Sequence, residues 1–234
     1  MAKQFTAVAV VLIGLSCSAA EGTCQGEITI SFVSDTTWNS FEMNPDGSLG
    51  ASLGPAQFVC AGPGAPPNCP PGATVYGTWP GWSADLSGIP GAFWIWRPGV
   101  TGASSPAGLQ GAYFSKEFDL PGLPGTGAIF LAVDDFAEVS INGTVVGSTG
   151  SITDYGLAVG AQGALKQFDL TPFMVTGPNT LTIRAQNGPG SFGGCDPCSY
   201  GGNPAGVVFG GTLGFTAPTP TQPETWGRLK TRYK

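Results

Sequence analysis

Between residues 128 and 146 the chain reads AIFLAVDDFAEVSINGTVV. An apolar run, Ala128–Val133, meets the paired acids Asp134-Asp135, and a second run then alternates. Ala137, Val139 and Ile141 fall on one face of that run, and Glu138 and Ser140 on the other. Period-two alternation predicts a half-buried strand. Asn142-Gly143, followed by Val145-Val146, predicts a hairpin, because both central turn residues need positive φ. The same pattern recurs along the chain. Strands are predicted over 27–33, 92–96, 111–120, 180–185 and 207–215, with 38–43 extending or following the first. In the 180–185 run Leu181, Ile183 and Ala185 share the inner face. Residues 44–50, 61–72, 78–90, 151–160 and 187–203 carry turn and loop chemistry, rich in Gly and Pro. Helical periodicity is absent from this body of the chain. The predicted class is an all-β antiparallel sandwich with long Gly/Pro-rich loops.

The two ends read differently. Residues 1–20 have the form of a cleaved export leader. Lys3 supplies the positive start, 5–15 an apolar core too short to span a bilayer, and Ser18-Ala19-Ala20 a small-residue cleavage site. At the other end, 216–223 is a Pro/Thr linker, expected to be extended, and 224–234 (ETWGRLKTRYK) a basic tail. On a helix Trp226, Leu229 and Tyr233 would share one face. The tail is therefore either a disordered end or a tag that docks on a sorting or assembly partner. One domain, 21–215, lies between.

Charge narrows the partners. Removing Lys3 with the leader leaves eight cations against fifteen acids, a net charge of −7. Four of those cations, Arg228, Lys230, Arg232 and Lys234, lie in the tail. The body has Arg97, Lys116, Lys166 and Arg184 against fourteen acids. Such a surface does not attract phosphate backbones, which excludes nucleic acid as an expected partner. Neutral sugars, calcium or a basic partner remain compatible.

Cysteine usage agrees with an oxidising compartment, secreted or at the cell surface. Cys60 and Cys69 bracket a Pro/Gly loop as an expected disulfide. Cys195-Asp-Pro-Cys198 closes a small loop by a disulfide or offers half of a metal site. With no histidine in the chain, the disulfide is the better reading. The odd count after cleavage leaves Cys24 over.

Taken in order, VSDTTW (33–38), GAFWIW (91–96), YFSKEFDLP (113–121), VDDFAEVSING (133–143), FDLTP (168–172), GPNTLTIRAQN (177–187) and NPAGVVF (203–209) resemble the galactose-binding-like jelly roll. That fold is the non-catalytic β-sandwich at the N-terminus of rhamnosidase- and β-galactosidase-type glycoside hydrolases, and a free module in exported bacterial proteins. The resemblance implies an eight-stranded jelly roll, carbohydrate binding at the loop end and, in some members, a structural calcium. No catalytic domain is expected to follow the module here.

The candidate chemistry is weighed residue by residue. Absence of histidine removes Ser-His-Asp, Cys-His and His-based metal mechanisms. Asp134 and Asp135 could be half of a glycosidase carboxylate pair, but neighbours on a strand point to opposite faces. They are expected instead to hydrogen-bond the hairpin backbone. Trp94 and Trp96 are expected in the core. Trp79 and Trp82, in an irregular segment, are either exposed platforms for sugar rings or plugs at the end of the sandwich. With Asp85 as hydroxyl acceptor, and Tyr155 and Tyr200 in other loops, they form the candidate carbohydrate site. Asn142-Gly-Thr144 is a glycosylation sequon that the turn already explains. The expected function is an exported, non-catalytic module binding a glycan or cell-surface polysaccharide. The alternative is a structural or adhesive surface protein that assembles through its tail or an edge strand.

Overall fold

A strand whose alternate side chains are apolar must bury one face, and stacking two such faces makes a core. The computed structural model, which describes residues 11–17, 24–60, 69–70, 73–75, 81–82, 85–100, 108–193, 198 and 202–216, realises this as an all-β jelly-roll sandwich. The first strands are β1 (Val11–Cys17), β2 (Cys24–Val33), β3 (Asn39–Met43), β4 (Leu49–Pro55), β5 (Gln57–Cys60), β6 (Thr74–Val75) and β7 (Ile95–Trp96). Then come β8 (Gly111–Leu120), β9 (Leu123–Asp134), β10 (Phe136–Ile141), β11 (Thr144–Gly150), helix α1 (Tyr155–Gly163), β12 (Lys166–Asp169), β13 (Gly177–Gln186) and β14 (Gly206–Thr216).

One sheet runs β1-β2-β14-β7-β5-β6, with β9 also paired to β14 and β12 to β9. The other runs β11-β10-β13-β8-β3-β4. Ladders are antiparallel except the short β5–β6 pair. The core lies where alternation placed it. Ala137, Val139, Ile141, Leu181, Ile183 and Ala185 are all fully buried, as are Trp38, Trp96, Phe114 and Phe209. Trp38 meets Phe209 edge to face at 4.6 Å and donates its indole N–H to the Val33 carbonyl at 2.9 Å.

The β10–β11 hairpin turns at Asn142 (φ 52°) and Gly143 (φ 78°), both in the left-handed region, as the Asn-Gly pair predicts. The Asn142 amide also ties this turn to the start of β13. Its Oδ1 accepts from Thr180 N at 2.9 Å and its Nδ2 donates to Asn179 Oδ1 at 3.0 Å.

Three elements depart from the sequence reading. Residues expected as a loop after 151 form α1, whose first turn is closed by Asp154, with Oδ1 accepting from Leu157 N at 3.1 Å. Its glycines at 156, 160 and 163 read as loop, yet Ala158, Ala161 and Gln162 share the face buried against the sandwich. Leu49–Pro55, partly expected as a turn, is the edge strand β4. Residues 11–17, which fall within the expected export leader 1–20, run antiparallel to β2, and the register sets Cys17 opposite Cys24. The linker after Thr216, which ends β14, and the basic tail lie outside the described residues.

Replacing Phe209 by Ala removes a fully buried ring from the centre of this core and is expected to cost about 3–5 kcal/mol in urea unfolding. Leu123→Ala, at a strand position left exposed, should change stability by less than about 0.5 kcal/mol. A similar loss at both sites would contradict the packing described.

A candidate ligand pocket at one end of the sandwich

At the junction of β9 and β10 the chain places two carboxyl groups inside the protein, with Asp134 and Asp135 both almost fully buried. Strand alternation would send them to opposite faces. It does not apply, because β9 ends at Asp134 and β10 begins at Phe136. Their side chains meet. The Gln162 amide of α1 donates to Asp134 Oδ1 at 2.7 Å and to Asp135 Oδ1 at 3.0 Å. Trp82 Nε1 donates to Asp134 Oδ2 at 2.6 Å, and Gly188 N donates to Asp135 Oδ2 at 2.6 Å. The expectation that the pair could not converge is corrected by this geometry. They are not a catalytic pair facing a cleft, since every carboxyl oxygen is taken by an N–H from the protein. Burial and the neighbouring Asp135 carboxylate push the Asp134 carboxyl well above the ordinary range, so Asp134 carries a proton to higher pH.

This knot fixes the backbone around it. Asp135 N donates to the Gln186 carbonyl and Ser151 N donates to the Asp135 carbonyl, each at 3.2 Å. Gly150 (φ 77°) is required beside it, because a Cβ there would overlap the Asp135 carbonyl. The residues so positioned line a pocket of about 190 Å³ on the outer face of the β10–β13 sheet: Phe136, Gly150, Ser151, Ile152, Arg184 and Gln186. The volume suits one small ring and falls below the roughly 300–1,000 Å³ of drug-sized sites.

Register explains the lining. Phe136 stands opposite both Gln186 and Gly150, and Arg184 lies two residues before Gln186 on the same face. The Arg184 guanidinium sits 5.8 Å over the Phe136 ring, with a buried Nε that has no hydrogen-bond partner. Gln186 is 7% exposed. Its Nε2 donates to the Leu109 carbonyl at 3.1 Å, while its buried Oε1 has no partner. Two residues that line the pocket thus each hold a buried polar atom, Arg184 Nε and Gln186 Oε1, without a partner in the protein. Each orphan costs about 1–3 kcal/mol, which a ligand with matching groups would relieve.

The described members of the expected site, Trp82, Asp85 and Tyr155, do not line this pocket. Trp82 is 3% exposed and stacks on Trp94 at 4.2 Å, so it is the plug and not the exposed platform. Asp85 accepts from Ser87 N at 3.0 Å, and hydrogen bonds from Ser87 hold its carboxyl below the ordinary range. It lines a separate surface pocket of about 260 Å³ with Gly163 and Leu165. Tyr155 is 55% exposed at the start of α1, edge-on to Phe192 at 5.6 Å. Trp79 and Tyr200 lie outside the described residues.

The disulfide Cys60–Cys69 is formed, with 5.7 Å between the Cα atoms. Cys198 is also disulfide-bonded, and its expected partner Cys195 lies outside the described residues. Among the described residues no group of three or more His, Cys, Asp or Glu side chains could hold a metal ion, so the expected calcium finds no such ligand set there.

Phe136, Arg184 and Gln186 were missed because alternation was read only for its inner face. Their signal was an aromatic and a lone cation on outward positions of paired strands.

No protein-family model and no curated protein matches this sequence. Solved structures give distant likenesses. The α-L-rhamnosidase of Streptomyces avermitilis complexed with L-rhamnose is 18% identical over 87% of this chain and 18% of its own, with a TM-score of 0.38. The FMN-binding β-glucuronidase from Facaelibacterium prausnitzii L2-6 is 16% identical over 79% of this chain and 22% of its own, at 0.35. A family 35 carbohydrate binding module from Clostridium thermocellum is 14% identical over 56% of this chain and 83% of its own, at 0.31. The chain spans about a fifth of the length of the two enzymes.

Because Asp134 holds its proton more tightly when folded than when unfolded, the folded state binds more protons above the ordinary carboxylate value of 3.8. Its contribution to stability is therefore present below that value and lost as pH rises through the raised folded value. Asp134→Asn removes the titration and is expected to flatten this part of the pH profile, while losing one of the two N–H bonds that Asp134 accepts. An unchanged slope between pH 4 and 8 would contradict the assignment.

Proposed function

We propose that this chain is an exported, non-catalytic binding module that takes one ring of a carbohydrate into the pocket between Phe136, Ser151, Arg184 and Gln186. The observation that carries the reading is the pairing of a buried donor, Arg184 Nε, with a buried acceptor, Gln186 Oε1, neither of which finds a partner in the protein. Sugar hydroxyls both donate and accept, and the apolar face of a sugar ring packs against an aromatic side chain such as Phe136. A purely apolar ligand would leave both orphans unmet.

The non-catalytic reading is supported by what lines the pocket. Arg184 is its one ionisable side chain. The nearby carboxyl groups are buried and fully engaged. Ser151, the one hydroxyl, accepts from Thr153 N and Asp154 N at 3.1 and 2.9 Å, and the chain contains no histidine to activate it.

Export is supported by the leader-like residues 1–20 and by the Cys60–Cys69 disulfide, which belongs in an oxidising compartment. No helix among the described residues is long and apolar enough to cross a membrane. Processing after Ala20 would remove β1 and uncover the edge of β2. The basic tail is proposed as the point of attachment to a surface partner. Protein recovered from the culture medium is expected to begin at Glu21 by N-terminal sequencing. Recovery of the intact leader would contradict cleavage.

Binding to a broad glycan panel tests the central reading. A specific hit is expected, and Phe136→Ala, which removes the ring wall, should weaken it by about 1–3 kcal/mol, roughly ten- to a hundredfold in Kd by calorimetry. Thermal melting should first show the variant folded. Undiminished binding by that variant would place the sugar elsewhere.

A further inference from the structure

Four cations serve the body of this chain, and three of them are spent within it. Arg97 pairs with Glu42 at 3.7 Å. Lys116 Nζ donates to Thr37 Oγ1 at 2.7 Å, and Lys166 Nζ donates to the Ser148 carbonyl at 2.9 Å. Arg184 differs. Among the described residues it makes no ion pair, and its Nε is buried without an acceptor. Glu138, its register neighbour on β10, is the carboxylate facing it along the sheet, yet the two are not within ion-pair reach. The guanidinium instead lies over Phe136 and lines the pocket.

We infer that Arg184 is the specificity residue of the pocket, and that the sugar it selects carries a carboxylate, as a uronic acid ring does. This rests on the carbohydrate-binding reading above and names its ligand class. A guanidinium offers donors in a planar fork that matches two carboxylate oxygens. Gln186 Oε1, two residues on, supplies the acceptor for a ring hydroxyl. A neutral ring would meet Arg184, Gln186 and the Phe136 wall through its hydroxyls and its apolar face, but it offers no countercharge to the guanidinium.

The surrounding charge sets the scale of the ligand. With a net charge of −6, the chain repels a dense polyanion. At physiological ionic strength that repulsion is screened beyond about 8 Å. One carboxylate held against Arg184 is thus compatible with an acidic protein, and an acidic ring set among neutral ones is the better substrate shape.

The test compares a galactose oligomer that carries one galacturonate ring with the all-neutral galactose oligomer of the same length, by calorimetry on the full chain. The acidic oligomer is expected to bind about ten- to a hundredfold more tightly, with a preference that shrinks as sodium chloride is raised. Arg184→Gln should abolish the advantage of the acidic oligomer over the neutral one, and Arg184→Lys should restore only part of that difference. Equal binding of the two oligomers, or a preference untouched by salt and by Arg184→Gln, would overturn the inference and leave the binding-module reading standing. An equal response to a sulfated galactose oligomer would overturn the carboxylate assignment. Failure of the folded protein to bind any panel glycan would remove both readings together. Should Arg184→Gln fail to fold, the matched oligomers and the salt series on the parent chain decide the question.

Discussion

Two carboxyl groups side by side inside a protein are costly to bury, and they persist only where the surroundings answer every oxygen. Asp134 and Asp135 meet that condition through donors from three separate parts of the chain: Trp82 from the segment before β7, Gln162 from α1 and Gly188 from the loop after β13. Two sheets can stack on apolar faces alone, but that stacking does not specify how the loops at one end are arranged. The acid pair does. It draws α1 against the sandwich, holds the Trp82–Trp94 stack over the end of the core, and pins the backbone of Asp135 between Gln186 and Ser151.

The pocket follows from that arrangement. Its aromatic wall is the residue after the pair, its polar floor comes from β13, and its rim is the β11–α1 connection. None of the lining groups is unusual by itself. What marks the place is that a buried donor and a buried acceptor without partners belong to residues lining a pocket beside an aromatic ring. Arg184 and Gln186 reproduce, in miniature, the mixed donor and acceptor character of a sugar's edge, and Phe136 supplies the flat apolar surface.

Much of the scaffold was legible in the sequence because it depends on local rules. Alternation in 137–141 and 181–185 identified side chains that are fully buried, and Asn142-Gly143 marked a turn whose two residues do adopt positive φ. Cys60 and Cys69 bracketed a loop that a disulfide closes. The candidate site was far less legible, since it depends on long-range assembly. Trp82, in an irregular segment, could be read as platform or plug, and only the fold reveals that its partner is Asp134, fifty-two positions on. The alternation rule that worked within strands misled at the Asp134-Asp135 junction, where one strand stops and the next begins. Helix α1 was hidden by its glycines, although Asp154 held the capping position.

The central claim is that this one pocket, built on the acid pair, is where a sugar is held. The most direct measurement is a titration of the isotope-labelled protein with a binding glycan, following backbone amide shifts by NMR. The account predicts that the largest changes fall at Phe136, Gly150, Ser151, Ile152, Arg184 and Gln186, with little movement around Asp85 or along β12. Changes centred on Asp85 and Gly163, or on the exposed Tyr155 alone, would contradict it.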